Sequence, residues 1–172
     1  HVRVKGVLGL GNAGGVPPVE MLILCRGAGR TARAIDRLVV RGAPAIGVTA
    51  AYAMALGARG VEAPAMASFL DALDPIAAEL AAARPTAVNL GWAVQRCVDA
   101  ARASASPSEA RQRLLELAHR TKAEDIAANR AMGRHGAALL RADVGVLTHC
   151  NTGALAAAGY GTALGVIRAA WE

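Results

Sequence analysis

Large side chains are scarce in this chain. One Phe, two Tyr and two Trp make aromatics 3% of 172 residues. Hydrophobic residues still reach 54%. Ala and Gly supply much of that total, so helices can approach closely but few bulky anchors are available. Lysine is also scarce: Lys5 and Lys122 are the only two, and arginine carries nearly all of a formal net charge of +6. The arginines are scattered rather than set in a basic stripe with interleaved aromatics. Many stand at helical spacing beside acids, as in Glu109 with Arg113 and Glu116 with Arg120. That pattern describes solvated helix faces and gives no nucleic-acid footprint. A charged fraction of 19% is too low and too mixed for a disordered chain.

Cysteine is limited to Cys25, Cys97 and Cys150. The number is odd and no CxxC pair exists, so neither a disulfide framework nor a zinc site is indicated, and a reducing cytoplasm fits. Arg3 and Lys5 are not followed by a clean apolar stretch, so no secretory signal opens the sequence. Residues 144–167 contain no Asp, Glu, Lys or Arg. Thr148, His149, Asn151, Thr152 and several glycines interrupt that stretch, whereas a membrane span needs about 20 predominantly apolar residues. It reads as a buried strand, loop and helix, and no membrane partner is expected. Internal repeats are absent.

What is present is mostly helical pattern. Residues 1–24 alternate Val2, Val4 and Val7 and then run into Gly14-Gly15-Val16-Pro17-Pro18, which predicts short strands and turns. Ala32, Ile35, Leu38 and Val39 predict a helix over 31–40. Pro44 suits the opening of a second helix over 45–57. A loop at 59–63 follows, and Pro64 opens a stretch to 70. Asp74-Pro75 reads as the cap and first position of a further helix over 75–83. After Arg84-Pro85-Thr86 a helix runs over 90–103, with Thr86 or Asn89 as its cap. Ser106-Pro107-Ser108-Glu109 matches a capping box. It opens a long helix to about 132, with Gly133 or Gly136 marking a break near its end.

The texture then changes. Val144-Gly145-Val146-Leu147 fits a buried parallel strand. A loop of small residues follows, then a helix over 159–171. The expected fold class is α+β leading into α/β: residues 1–142 form a mainly helical domain with short N-terminal strands, and 143–172 begin a second domain. A single parallel strand cannot satisfy its own backbone groups. The chain is therefore expected to be part of a longer protein.

Four segments could carry chemistry. Gly9-Leu10-Gly11-Asn12-Ala13-Gly14 matches GxGxxG, but a dinucleotide site needs a helix to open there, and Val16-Pro17-Pro18 forbids it. In Arg41-Gly42-Ala43-Pro44-Ala45-Ile46-Gly47, a glycine admits a ligand close to the backbone. A helix start offers free N–H groups, and Arg41 supplies a forked cation. The same residues could equally be a tight helix–helix connection. Arg84-Pro85-Thr86-Ala87-Val88-Asn89-Leu90 repeats those ingredients and would make a second point of a phosphate clamp. Thr148-His149-Cys150-Asn151-Thr152-Gly153 places a thiol just past a strand's carboxyl end, where open α/β sheets bind ligands. Its polar neighbours argue against a dry structural cysteine.

RGAPAIG at 41–47, RPTAVNL at 84–90 and LTHCNTGALAAAGYGTALGVIRAAWE at 147–172 together resemble S-methyl-5-thioribose-1-phosphate isomerase. Its superfamily includes the regulatory subunits of translation initiation factor 2B. The segment from Glu124-Asp125-Ile126 to Asn129, leading to His135-Gly136-Ala137, agrees as well. The resemblance implies a Rossmann-like second domain, of which 143–172 hold the first βα unit. It implies conversion of 5-methylthioribose 1-phosphate to the ketose 5-methylthioribulose 1-phosphate in methionine salvage, with no metal or organic cofactor. Arg41, Gly42 and Ala43 fall on one substrate-binding segment, Arg84 on a second contact, and Cys150 on the catalytic cysteine. A small sugar phosphate is then the partner, and the full-length protein is expected to be a homodimer. The family's catalytic aspartate lies downstream of the cysteine, and residues 151–172 contain no Asp. The 172 residues alone are expected to be inactive. A ribose 1,5-bisphosphate isomerase and a non-catalytic regulatory subunit are the alternatives.

Overall fold

The structure is a computed structural model that describes residues 8–11 and 22–172. Strands β1 (Leu8–Gly11) and β2 (Leu22–Cys25) pair antiparallel, with Leu8 opposite Cys25. Leu8, Leu10 and Cys25 are buried against the helices. The alternation at Val2, Val4 and Val7, the turn at Gly14 to Pro18 and the end of the GxGxxG match lie outside the described residues.

Helices α1 (Ala28–Asp36), α2 (Ala43–Arg59), α3 (Met66–Ala82), α4 (Val88–Arg102) and α5 (Pro107–Ala137) follow, then a 3₁₀ turn at Ala154–Ala156 and helix α6 (Ala163–Trp171). The second helix is the centre: α1, α3, α4 and α5 all pack on it. Its run of alanines is buried on every side, and a helix apolar all round must be enclosed. The few large side chains anchor the shell. Phe69, Leu73, Leu80, Leu90 and Leu114 are essentially unexposed, each contributing about 1.5–3 kcal/mol on burial. Arg111 stacks over the Phe69 ring at 5.2 Å. Its Nε donates to the Ala58 carbonyl at 3.2 Å and its Nη2 to that of Val61 at 2.6 Å. Ala58 lies in the last turn of α2 and Val61 just beyond it, so these bonds tie the exit of α2 to α5.

Several expected boundaries move, each for a physical reason. The helix expected over 31–40 ends at Asp36 because Leu38 takes a positive φ of 57°. The two helices expected around Asp74-Pro75 are one, with Pro75 inside α3. Pro75 is exposed, while Phe69, Leu73, Ala77 and Leu80 keep one apolar stripe running past it. An interior proline costs about 3 kcal/mol, and two buried leucines alone offset that. Neither Thr86 nor Asn89 caps α4. Its cap position is Ala87, without a side-chain bond, and a turn closed by Ala87 N–H on the Arg84 carbonyl at 3.0 Å sets the entry instead.

The capping box forms. Ser106 Oγ accepts from the Glu109 N–H at 3.2 Å, and Glu109 Oε2 reaches back to the Ala105 N–H at 2.8 Å. Glu109 also pairs with Arg113 at 2.8 Å. Glu116 does not pair with Arg120; it takes Gln112, and Arg120 turns to Glu124. Gly133 and Gly136 do not break α5, which runs to Ala137. They are where α6 packs: a Cβ on Gly136 would lie 2.7 Å from Val166 Cγ1. Helix α6 starts at Ala163 rather than 159, because Gly159 and Gly161 hold φ of 154° and 104°. The strand expected at Val144-Gly145-Val146-Leu147 does not form. Among the described residues no strand lies beside it to complete a ladder, since β1 and β2 pair with each other. Its apolar side chains are exposed, Leu147 at 98%.

Candidate active site

The start of α2 and the segment after Leu147 meet at one place. Arg41 is exposed, and its Nε donates to the Leu38 carbonyl at 3.2 Å, which holds the guanidinium beside the helix entry. Gly42 is the cap position of α2, at φ 91° and ψ 131°, a conformation open to glycine and strained for other residues. Pro44 stands in the first turn and no acid is present there. The N–H groups of Ala43 and Ala45 have no acceptor within the helix, Pro44 has none to offer, and the helix start carries a partial positive charge.

The 3₁₀ turn presses directly on Gly42. A Cβ built at Gly42 would overlap the carbonyl oxygen of Ala156 and lie 2.5 Å from its Cα. Residues 148–162 form a loop closed by its own backbone. Gly153 bridges Gly161, Thr162 N–H donates to the Thr152 carbonyl at 2.8 Å, and Ala156 N–H donates to that of Gly153 at 3.0 Å. Cys150 is exposed and sits at φ 70°.

A cavity of about 390 Å³ opens between the two segments. Among the described residues, Arg41 is the charged side chain that lines it; Cys150, Asn151 and Thr152 supply polar groups, and Leu155 and Leu164 an apolar side. The other cysteines are elsewhere: Cys25 and Cys97 are buried. Burial pushes the Cys97 thiol up to about 12, against a smaller opposing pull from Arg96. It therefore stays protonated at neutral pH and is a poor nucleophile.

The structure thus brings Arg41 and Cys150 onto one cavity, while Gly42 lies outside the lining, against Ala156. Ala43 is the exposed first residue of α2, and Arg84 lies in the turn before α4; neither lines the cavity. The start of α4 lies beside the second turn of α2, where a Cβ on Gly47 would be 3.1 Å from the Asn89 carbonyl. His149 is exposed and does not line the cavity. Among the described residues no group of three or more His, Cys, Asp or Glu could hold a metal ion, and no helix is long and apolar enough to cross a membrane.

Sequence reasoning gave no role to three contributors. Leu155 and Leu164 were hidden because a small-residue loop does not reveal which side chains face a cavity. Asp125 was visible only within the Glu124-Asp125-Ile126 to Asn129 segment of the resemblance; Asn129 Nδ2 donates to its Oδ2 at 3.0 Å. The same oxygen accepts from the Ala158 N–H at 2.7 Å, a contact across the fold that spacing could not show.

Residues 39–172 match the model of the initiation factor 2 subunit family. The methylthioribose-1-phosphate isomerase of Syntrophotalea carbinolica is 55% identical over 159 residues, covering 91% of this chain and 46% of that protein. The one of Desulforamulus reducens is 51% identical over 161 residues, with the same coverage of 91% and 46%. The chain spans about half the length of these curated relatives. Among solved structures, 5-methylthioribose 1-phosphate isomerase from Pyrococcus horikoshii superposes with a TM-score of 0.89 at 33% identity, over 96% of this chain and 47% of that one. The translation initiation factor eIF-2B delta subunit from A. fulgidus superposes with a TM-score of 0.86 at 38% identity, over 98% and 51%. The resemblance read from the three motifs is borne out.

Proposed function

The chain belongs to the initiation factor 2 subunit family, and we propose that in the complete protein it forms one wall of an aldose–ketose isomerase site for 5-methylthioribose 1-phosphate. The observation that carries this reading is the shared cavity. Arg41 and Cys150, distant in sequence, open onto the same space. In this reading the phosphate lies on Arg41 and the first N–H groups of α2, around Gly42 and Ala43, where a fork of donors and a helix start both favour an anion. Arg84 is assigned as a second contact, on the side of α2 where α4 begins. The opened sugar then extends toward Cys150.

The conversion breaks the ring C1–O bond, moves the hydrogen of C2 to C1, and passes the O2–H proton to the freed ring oxygen as C2 becomes a carbonyl. A positioned side chain contributes roughly 10²–10⁴-fold to such transfers. We assign Cys150 to this reacting end. No cofactor is assigned. Residues 143–172 are taken as the opening of a second, Rossmann-like domain after a helical domain of 1–142. The exposed apolar side chains of Val144, Val146 and Leu147 suit a strand that becomes covered there. The full-length protein is taken to be a cytoplasmic homodimer.

Leu155 and Leu164 favour this substrate over ribose 1,5-bisphosphate. An apolar lining suits a methylthio group and offers nothing to a second phosphate. An exposed thiol in the cavity favours an enzyme over a regulatory subunit.

The test is turnover by the full-length protein. Ketose formation from 5-methylthioribose 1-phosphate is expected, with Cys150→Ser lowering kcat by roughly 100-fold or more while the protein still folds. Residues 1–172 alone are expected to give no turnover. Preference for ribose 1,5-bisphosphate, or no isomerisation of either sugar, would overturn the assignment.

A further inference from the structure

The loop that carries Cys150 packs on α5 through Tyr160, against Gly133 and under Arg130, and most of its hydrogen bonds are internal. Its bridge at Gly153 and Gly161 and the Thr162-to-Thr152 bond close it. They do not decide where it sits on the helices. Among the described residues one hydrogen bond runs from residues 148–162 to α1–α5: the Ala158 N–H to Asp125 Oδ2, at 2.7 Å. That carboxylate is itself held. Asn129, one helical turn on and buried at 3% exposure, donates to the same oxygen at 3.0 Å. On the opposite side the turn rests on Gly42, where no side chain keeps Ala156 away. The turn is thus wedged between the start of α2 and the middle of α5, with Ala156 and Ala157 buried.

From this we infer that Asp125 is a positioning residue for the isomerisation site: its carboxylate sets the distance between the Cys150 loop and Arg41. Asp125 is not among the residues that line the cavity. A hydrogen bond to a charged acceptor is stronger than a neutral one, and this one spans two elements rather than neighbours in a helix. Loss of the carboxylate leaves the helical core intact, because Asp125 is half-buried and outside it. The 154–158 turn should then loosen, while Tyr160 stays packed on Gly133 and Arg130 of α5.

The kinetic part of this inference rests on the isomerase reading; the structural part does not. Full-length wild type, Asp125→Ala and Asp125→Asn are compared by amide hydrogen exchange over residues 154–162 and by steady-state kinetics. In Asp125→Ala, exchange at Ala158 should quicken by about tenfold, with amides of α2 and α4 unchanged. kcat/KM should fall by about the same factor. Asp125→Asn retains an accepting oxygen and should keep most of both. Unchanged Ala158 exchange in Asp125→Ala overturns the anchor. Faster exchange with unaltered kcat/KM overturns the positioning role. A wild type with no turnover overturns the isomerase reading instead, and exchange alone then decides whether Asp125 holds the loop.

Discussion

Gly42 has two reasons to be glycine, and they act together. Its φ of 91° with ψ of 131° is a region that costs other residues about 1–3 kcal/mol. A methyl group there would also collide with the Ala156 backbone, which cannot swing aside as a flexible side-chain tip would. Gly42→Ala should therefore lower stability by about 1–3 kcal/mol in chemical denaturation and raise KM for the sugar phosphate, because the turn must leave the helix start. Unchanged stability and KM would mean that the contact is not made. The sequence showed that glycine permits close approach; it could not show whether a ligand or the chain itself makes the approach. The structure shows the chain doing so, leaving the ligand the space beside it, between Arg41 and Cys150.

Among the elements, α3 shows how packing overrides a local stop signal. Asp74-Pro75 has the residues of a helix start, and nothing local distinguishes a cap from an interior proline. The distinguishing fact is tertiary: Phe69, Leu73, Ala77 and Leu80 all face the core on one stripe, with Pro75 outside. Pro75→Ala should restore a helix hydrogen bond at an exposed site and stabilise the protein by about 1–3 kcal/mol, the saving reduced by the freer unfolded chain. A loss of stability in thermal or denaturant unfolding would show that the proline is needed where it stands. The capping box at Ser106 was legible because both partners are local. The glycines of α5 were misread as a stop, because their purpose lies in Val166 and Tyr160 of a later segment. The strand expected at Val144 does not form among the described residues for a related reason: a ladder needs a neighbour, and neighbours are not encoded in the four residues themselves.

For the whole molecule, the helical character, the order of the helices and the Arg41 and Cys150 segments were legible from periodicity and motif. The joining of those two segments into one cavity was not, since it depends on α2 being enclosed by four helices and on the loop lying across its start. Relatives about half-covered by this chain carry the isomerase name, and the same fold serves an initiation-factor subunit, so the site must decide the function. The central claim is that one sugar phosphate occupies the space between Arg41 and Cys150. Among the described residues Cys150 is the exposed cysteine, while Cys25 and Cys97 are buried, so alkylation followed on the peptide that contains Cys150 reports on this position. The most direct measurement is the rate of Cys150 alkylation by iodoacetamide in the full-length protein, with and without 5-methylthioribose 1-phosphate, in wild type and Arg41→Ala. At ten times its Kd the sugar phosphate should slow wild-type alkylation by about tenfold, and the same concentration should protect Arg41→Ala far less. A wild-type rate that does not change with sugar phosphate would contradict the shared site.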